Sequence, residues 1–265
     1  MNSSILKTGL IMTAATLLNA SAELKAYDGF SVPADYEHRA ELLGTNGGTG
    51  FEPWQVDLSS NDGNSRRYIA SKKPVTHTDA KGNTLVTAPG CMLCKPAGSG
   101  KGALTRNLDK ALEGTVWISF LTQLDEQVGY GWDIQFLDEK GEMQFKVMNG
   151  RKEQNRWRIQ SAVQASGKPK DGLFQSQPGM TPMELTLIVL KVENVGSKSD
   201  DGSVTAFLNP KDLRDAELTA MASVKIKGLE LNPIKTFSFD KKSTAEGIID
   251  ELRFGERVED VLPYQ

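Results

Sequence analysis

Thr115-Val-Trp-Ile-Ser-Phe-Leu121, Tyr130-Gly-Trp-Asp-Ile-Gln-Phe136, Met143-Gln-Phe-Lys-Val147 and Trp157-Arg-Ile-Gln160 follow one another, and each alternates apolar with polar side chains. Successive side chains of a strand point to opposite faces, so a period of two marks a strand with one dry side. Val116, Ile118 and Phe120 stand against Thr115, Trp117 and Ser119. Tyr130, Trp132, Ile134 and Phe136 stand against Gly131, Asp133 and Gln135. Met143, Phe145 and Val147 oppose Gln144 and Lys146, and Trp157 and Ile159 oppose Arg156, Arg158 and Gln160. The connections Asp138-Glu-Lys-Gly141 and Asn149-Gly150 suit tight hairpins. The stretch therefore predicts an antiparallel meander.

Working outward, the same signal recurs with no internal repeat. Met183 to Val192 is almost continuously apolar, as a central strand covered on both sides requires. Asp200-Asp-Gly202 turns the chain into Ser203-Val-Thr-Ala-Phe-Leu208, and Ile234 to Phe239 and Gly247 to Gly255 complete the set. Arg67 to Ala70 and Leu85 to Thr87 read as short strands. Helix is expected only as a short piece within residues 33–44 and a turn or two within 211–218. The fold class is all-β.

The wet face of the meander gathers Asp133, Gln135, Gln144, Lys146, Arg156, Arg158 and Gln160. Planar amides, an acid and guanidinium groups are what a surface needs to match sugar hydroxyls, which both donate and accept. A plain solvated face would have the same composition. The chain of 265 residues has a net charge of −3, so no basic excess draws nucleic acid or anionic lipid.

The N-terminus reads as a secretory leader: Lys7, the apolar run Thr8 to Leu18, then Ala20-Ser21-Ala22 as a small-x-small cleavage pattern. This divides the chain into a leader, residues 1–22, and one domain, residues 23–265. No other run approaches the ~20 apolar residues that cross a bilayer. The product is expected in the periplasm, at the cell surface or outside. In an exported chain the two cysteines, Cys91 and Cys94, most simply form one local disulfide. Gly98-Ser-Gly-Lys-Gly102 lacks the first Gly and the final Ser or Thr of a phosphate loop. Gly44-Thr-Asn-Gly-Gly-Thr-Gly50 is a loop whose backbone can approach a ligand or another strand closely.

Gly247-Ile-Ile-Asp-Glu-Leu-Arg-Phe-Gly255 carries an acid in an apolar phase, because strict alternation puts Asp250 with Ile248, Leu252 and Phe254. Near the start, Asp28 falls with Ala26 and Phe30. A buried acid needs a cation, an Arg or backbone donors.

In order along the chain, Tyr27-Asp-Gly-Phe30 with Gly44 to Phe51, Gly114-Thr-Val-Trp-Ile-Ser-Phe-Leu121, Asp201-Gly-Ser-Val-Thr-Ala-Phe-Leu-Asn-Pro210 and Ile249 to Gly255 followed by Val261-Leu-Pro263 resemble exported bacterial proteins with a concanavalin A-like or laminin-G-like jelly roll. The resemblance implies a two-sheet antiparallel sandwich with adjacent first and last strands, and in some relatives a bound calcium. Lectins, adhesion modules and glycan hydrolases share it. The one-strand Glu-x-Asp-x-x-Glu pattern of laminarinase-like hydrolases is absent, and neither His lies in a strand suited to a lyase, so a non-catalytic glycan-binding module leads. A hydrolase or lyase and a purely structural envelope protein are the alternatives. With first and last strands adjacent, Asp28 and Asp250 become candidate ligands of one calcium ion, whose six to eight oxygens other groups would complete. The other reading of both acids is hydrogen bonding to Arg or backbone.

Overall fold

The computed structural model describes residues 24–32, 34–57, 66–96, 103–125, 132–149, 156–163, 169–174, 180–241 and 246–265. The leader, the Gly98–Gly102 segment, Tyr130, Gly131 and Gly150 lie outside these residues.

Among the described residues fifteen strands form two antiparallel sheets. One runs β13 (Ala220–Leu229), β12 (Gly202–Pro210), β11 (Thr186–Val195), β6 (Gly114–Leu124), β15 (Gly247–Gly255), β4 (Cys91–Pro96) and β3 (Arg66–Ser71), and β1 (Leu24–Asp28) also pairs with β15. The other runs β10 (Pro169–Leu173), β9 (Trp157–Val163), β8 (Met143–Asn149), β7 (Trp132–Leu137), β14 (Ile234–Lys241), β5 (Ala103–Leu112) and β2 (Gln55–Asp57). Two one-turn helices, α1 (Ala216–Thr219) and α2 (Val258–Val261), complete a jelly-roll sandwich.

The meander is β7, β8 and β9. Its first hairpin closes at Gly141, whose φ is 79°, while Asp138 Oδ1 accepts from the amides of Lys140 and Glu142 at 2.9 and 2.8 Å. The apolar phases of both sheets meet in one core: Ile134, Phe136, Phe145, Val147, Trp157 and Ile159 from the meander face Ile118, Phe120, Ile188, Leu190 and Phe254. The adjacency of first and last strands holds, with Tyr27 opposite Arg253 and Asp28 opposite Leu252.

A second apolar layer covers the outer face of the larger sheet. Trp117, Leu121, Leu187, Val189 and Phe207 project there and are buried under Val75, Leu85, Leu213, Val261 and Leu262. Trp117 and Ser119, on the wet phase of their strand, are thus buried; Trp117 stacks on Phe207 with centroids 6.2 Å apart, and Ser119 Oγ donates to Val261 O at 2.6 Å. Alternation inside β6 cannot show this cover, because it comes from segments distant in sequence.

Three local expectations change. Residues 34–44 form no helix: the amides of Arg39 and Leu42 donate to Ala70 O and Tyr68 O at 2.8 and 3.0 Å, so this backbone extends the β3 edge. Leu85 makes only an isolated bridge, to Tyr264. The third concerns β15, where Ile248 joins the outer layer while Ile249, Leu252 and Phe254 enter the core. The register slips between Asp250 and Arg253, and Glu251 takes a left-handed φ of 56°. One inserted residue reverses the alternation. Asp250 thereby lies opposite Leu121, on the outer phase, and not with Leu252 and Phe254.

Candidate functional site

The phases that leave the core on the seven-stranded sheet make its outward face. Cross-strand pairing aligns Asp171, Gln160, Lys146, Gln135, Ser238, Thr105 and Gln55 position against position, one residue from each strand in spatial order. Strands lie ~4.8 Å apart, so this polar row spans roughly 29 Å. Gln160, Lys146, Gln135 and Thr105 are half-buried, and Gln55 and Asp171 are exposed at the two ends. Two residues along, a second row reads Arg158, Met148, Asp133 and Asp240. Asp133 and Asp240 are directly opposite one another and both buried, a carboxylate pair supplied by two strands.

Hydrogen bonds hold several of these groups in place. Lys146 Nζ meets Asp133 Oδ2 at 2.9 Å, Gln160 Nε2 donates to Asp171 Oδ1 at 2.8 Å, and an Arg158 terminal nitrogen donates to Met148 Sδ at 3.3 Å. Five of the meander residues singled out in the sequence, Asp133, Gln135, Lys146, Arg158 and Gln160, therefore share one face. Gln144 is buried: its Oε1 accepts from the Asn232 amide at 2.8 Å and its Nε2 donates to Glu142 O at 2.9 Å, which ties it to the β13–β14 connection. Arg156 donates to Phe174 O at 3.3 Å. Sequence reading missed Ser238, Asp240, Thr105 and Gln55, which complete the face. The alternation of Phe237 and Phe239 with Ser238 and Asp240 was the available signal.

Asp28 finds its partner inside the sandwich. Its Oδ2 accepts from Tyr36 Oη at 2.6 Å and Trp54 Nε1 at 3.3 Å and pairs with the Arg106 guanidinium; its Oδ1 accepts from the Phe30 amide at 2.8 Å. Arg106 lies 4.5 Å above the Phe51 ring and 5.1 Å above Trp54, and donates to Glu52 O and Asn46 Oδ1, each at 2.8 Å. Burial pushes the Asp28 carboxyl up to about 6, against the pull of Arg106 and the Tyr36, Phe30 and Trp54 donors.

Asp250 faces the other way. Its Oδ1 accepts from the Glu251 amide at 2.9 Å, and its Oδ2 has no hydrogen-bond partner among the described residues. Burial, then the neighbouring Glu251 charge, drives this carboxyl well above the usual range. Glu251 pairs with Arg253 and accepts from the Ala88 amide and Tyr27 Oη. The β15 bulge puts Asp250 on the outer phase while Asp28 lies on the core phase, each with its own hydrogen bonds, and the Asp28 charge is the last of the contributions that raise the Asp250 carboxyl. Among the described residues, no group of three or more His, Cys, Asp or Glu side chains is placed to hold a metal.

Cys91 and Cys94 are both buried thiols, not a disulfide. On a strand, residues three apart point to opposite faces: Cys91 belongs to the outer layer and Cys94 to the inter-sheet core. Burial, then the Asp250 charge, raises the Cys91 thiol to about 12.

No protein-family model and no curated protein matches the sequence. Among solved structures, the endo-β-1,4-glucuronan lyase of the fungus Trichoderma reesei matches with a TM-score of 0.51 at 10% identity, over 85% of this chain and 98% of its own. The Bacillus licheniformis β-glucanase matches with a TM-score of 0.45 at 8% identity, over 83% of this chain and 99% of its own. A structure of botulinum neurotoxin type C, whose cell entry depends on two ganglioside molecules, gives 0.44 at 12% identity over 83% of this chain and 48% of its own. Among the described residues no helix is long and apolar enough to cross a membrane. At these identities the likeness is one of fold alone, that of a jelly-roll sandwich.

Proposed function

We propose that this protein is an exported, non-catalytic module that binds a neutral glycan along the outward face of the seven-stranded sheet. The observation that carries the reading is the in-register polar row from Asp171 to Gln55. Amides, hydroxyls and an ammonium at strand spacing offer donors and acceptors in alternation, as a chain of sugar hydroxyls requires. Arg158 and Lys146 stand with Asp133, Asp240 and Asp171, so the face has no cationic excess to select a polyanion. The glucuronan lyase supports the reading in that its fold works on a polysaccharide. The order of motifs from Tyr27 to Pro263 supports a place among laminin-G-like exported proteins, and the Lys7 to Ala22 segment supports a cleaved leader.

The test is a glycan array followed by titration of the strongest neutral oligosaccharide. Each desolvated polar contact removed costs ~1–3 kcal/mol, so Gln135→Ala/Lys146→Ala/Gln160→Ala should weaken binding at least about tenfold. Equal affinity in the triple variant, with unchanged melting temperature, would refute the assignment of the face.

One observation favours a second reading. Directly opposed carboxylates have Cβ atoms ~4.5–5.5 Å apart, a placement compatible with a glycosidase acid pair. A hydrolase acting through Asp133 and Asp240 would release reducing ends from a bound glycan, and Asp240→Asn would abolish the release while binding persisted. Binding with no release over a day of incubation leaves the non-catalytic reading.

A further inference from the structure

A groove lies on the opposite sheet, on the outer face of its β3–β4 edge. It has a volume of 460 Å³ and is lined by His38, Arg39, Ile69, Ser71, Leu93 and Lys95, with the backbone of Ala70. This size lies within the range of small-ligand sites. Ile69 and Leu93 are cross-strand neighbours and give it an apolar floor. The polar groups that line it are the Arg39 guanidinium, the Lys95 ammonium, the Ser71 hydroxyl and the His38 imidazole, with Glu41 across an isolated bridge from Ile69 and Glu246 paired with Lys95 beyond the lining. His38 Nδ1 accepts the Lys72 amide at 3.2 Å, so the neutral ring carries its proton on Nε2 and is a donor there. Among the described residues no acid lines the groove, although acids outnumber bases in the chain as a whole.

At the cationic end the backbone of Arg39 is fixed and the Lys95 side chain is available. Arg39 holds a left-handed φ of 67°, a conformation disfavoured for a residue with a Cβ. It persists because the Arg39 amide donates to Ala70 O at 2.8 Å and the Ala70 amide donates to Ala40 O at 3.0 Å, fastening the segment to the sheet edge. Such strain gathers where a side chain must be aimed. Lys95, for its part, meets an exposed partner among the described residues, Glu246 Oε2 at 3.4 Å, with the two side chains 40% and 44% exposed. An exposed pair of this kind is worth little and is easily exchanged for another carboxylate.

We propose that this groove is a second saccharide site, selective for a carboxylate-bearing sugar of the hexuronate class. The apolar face of a pyranose ring would rest on Ile69 and Leu93, the carboxylate would take the Arg39 fork and Lys95, and ring hydroxyls would take Ser71 and His38. Arg is suited to the carboxylate because its planar fork donates two parallel bonds. The site is on the other sheet from the neutral-glycan face and stands independently of it.

The experiment titrates the full chain with methyl glucuronide, methyl glucoside and an Asp/Glu-rich peptide, followed by heteronuclear NMR shifts. The uronide should shift resonances of residues 38–39, 69–71 and 93–95, the glucoside should not, and raising the salt should weaken the uronide. Arg39→Gln/Lys95→Gln should weaken uronide binding at least about tenfold at unchanged melting temperature. Should that variant not fold, Lys95→Glu alone, an exposed charge reversal, should give the same direction. Equal binding of uronide and glucoside, no shift in this region, or full affinity in the folded variant overturns the proposal. Tighter binding of the peptide than of the uronide overturns the sugar assignment. Uronide binding that disappears in Gln135→Ala/Lys146→Ala/Gln160→Ala but survives in Arg39→Gln/Lys95→Gln belongs to the other face and also overturns it.

Discussion

Arg106 is the most telling single residue, since it is 1% exposed and is the countercharge paired with Asp28 among the described residues. Removing one member of a buried pair leaves the other uncompensated, at ~3–5 kcal/mol. Arg106→Ala is expected to cost about that much in urea unfolding, and a loss under about 1 kcal/mol would show that the pair adds nothing. Asp28 also sets a pH dependence. Its folded carboxyl titrates at about 6 against 3.8 in its ordinary state, so between those values the fold retains a proton that the unfolded chain has released. Stability from this group is present at the acid end and falls as pH rises through the window. Asp250 and Glu251, both raised by burial, act in the same direction. The decline of unfolding free energy between about pH 4 and 6.5 should be shallower in Asp28→Asn than in wild type, and parallel profiles would contradict the argument. Leu104, Arg106 and Leu108 share a phase, so a buried Arg was legible in the sequence. Its partner lies 78 residues away, and alternation carries no information about that pairing.

At the scale of elements, period-two reading succeeds where a strand is regular and fails at one inserted residue. It holds along β7, β8 and β9, whose inward and outward sets match the alternation of Ile134, Phe145 and Ile159 with Gln135, Lys146 and Gln160. It fails along β15, because nothing local in Asp250-Glu251 announces a left-handed backbone, and the change of phase sent Asp250 to the outer layer. The cysteine pair failed for a related reason: composition and an expected export suggested a disulfide, while strand geometry three residues apart forbids it. The melting temperature should therefore be the same with and without dithiothreitol, and Cys91, with its thiol raised to about 12, should react with iodoacetamide only on unfolding. Rapid alkylation of the native protein would contradict this. The Gly44–Gly50 loop behaves as its composition implies. Gly48 holds φ of 75°, and a Cβ there would sit 2.2 Å from Tyr27 O, beside the bridge in which the Tyr27 and Thr49 amides donate to each other's carbonyls at 2.9 and 2.8 Å. Gly48→Ala should destabilise by more than ~1 kcal/mol.

Across the whole molecule, the polar row shows how a surface can be half visible in a sequence. Gln135, Lys146 and Gln160 come from one contiguous meander and were found together, whereas Thr105, Ser238 and Gln55 reach the same line from strands before and after it. A ligand using the full row would gain affinity with length until it spans ~29 Å. Longer oligosaccharides should thus lose more than short ones on Thr105→Ala/Ser238→Ala, and equal losses would confine the site to the meander. The pairing of β1 with β15 bears on biogenesis. β1 pairs with a strand far along the sequence, and contacts this distant close slowly. A chain truncated before residue 247 leaves Leu24–Asp28 with only the Tyr27–Thr49 bridge, so full resistance to protease should appear only when residues 247–255 are present.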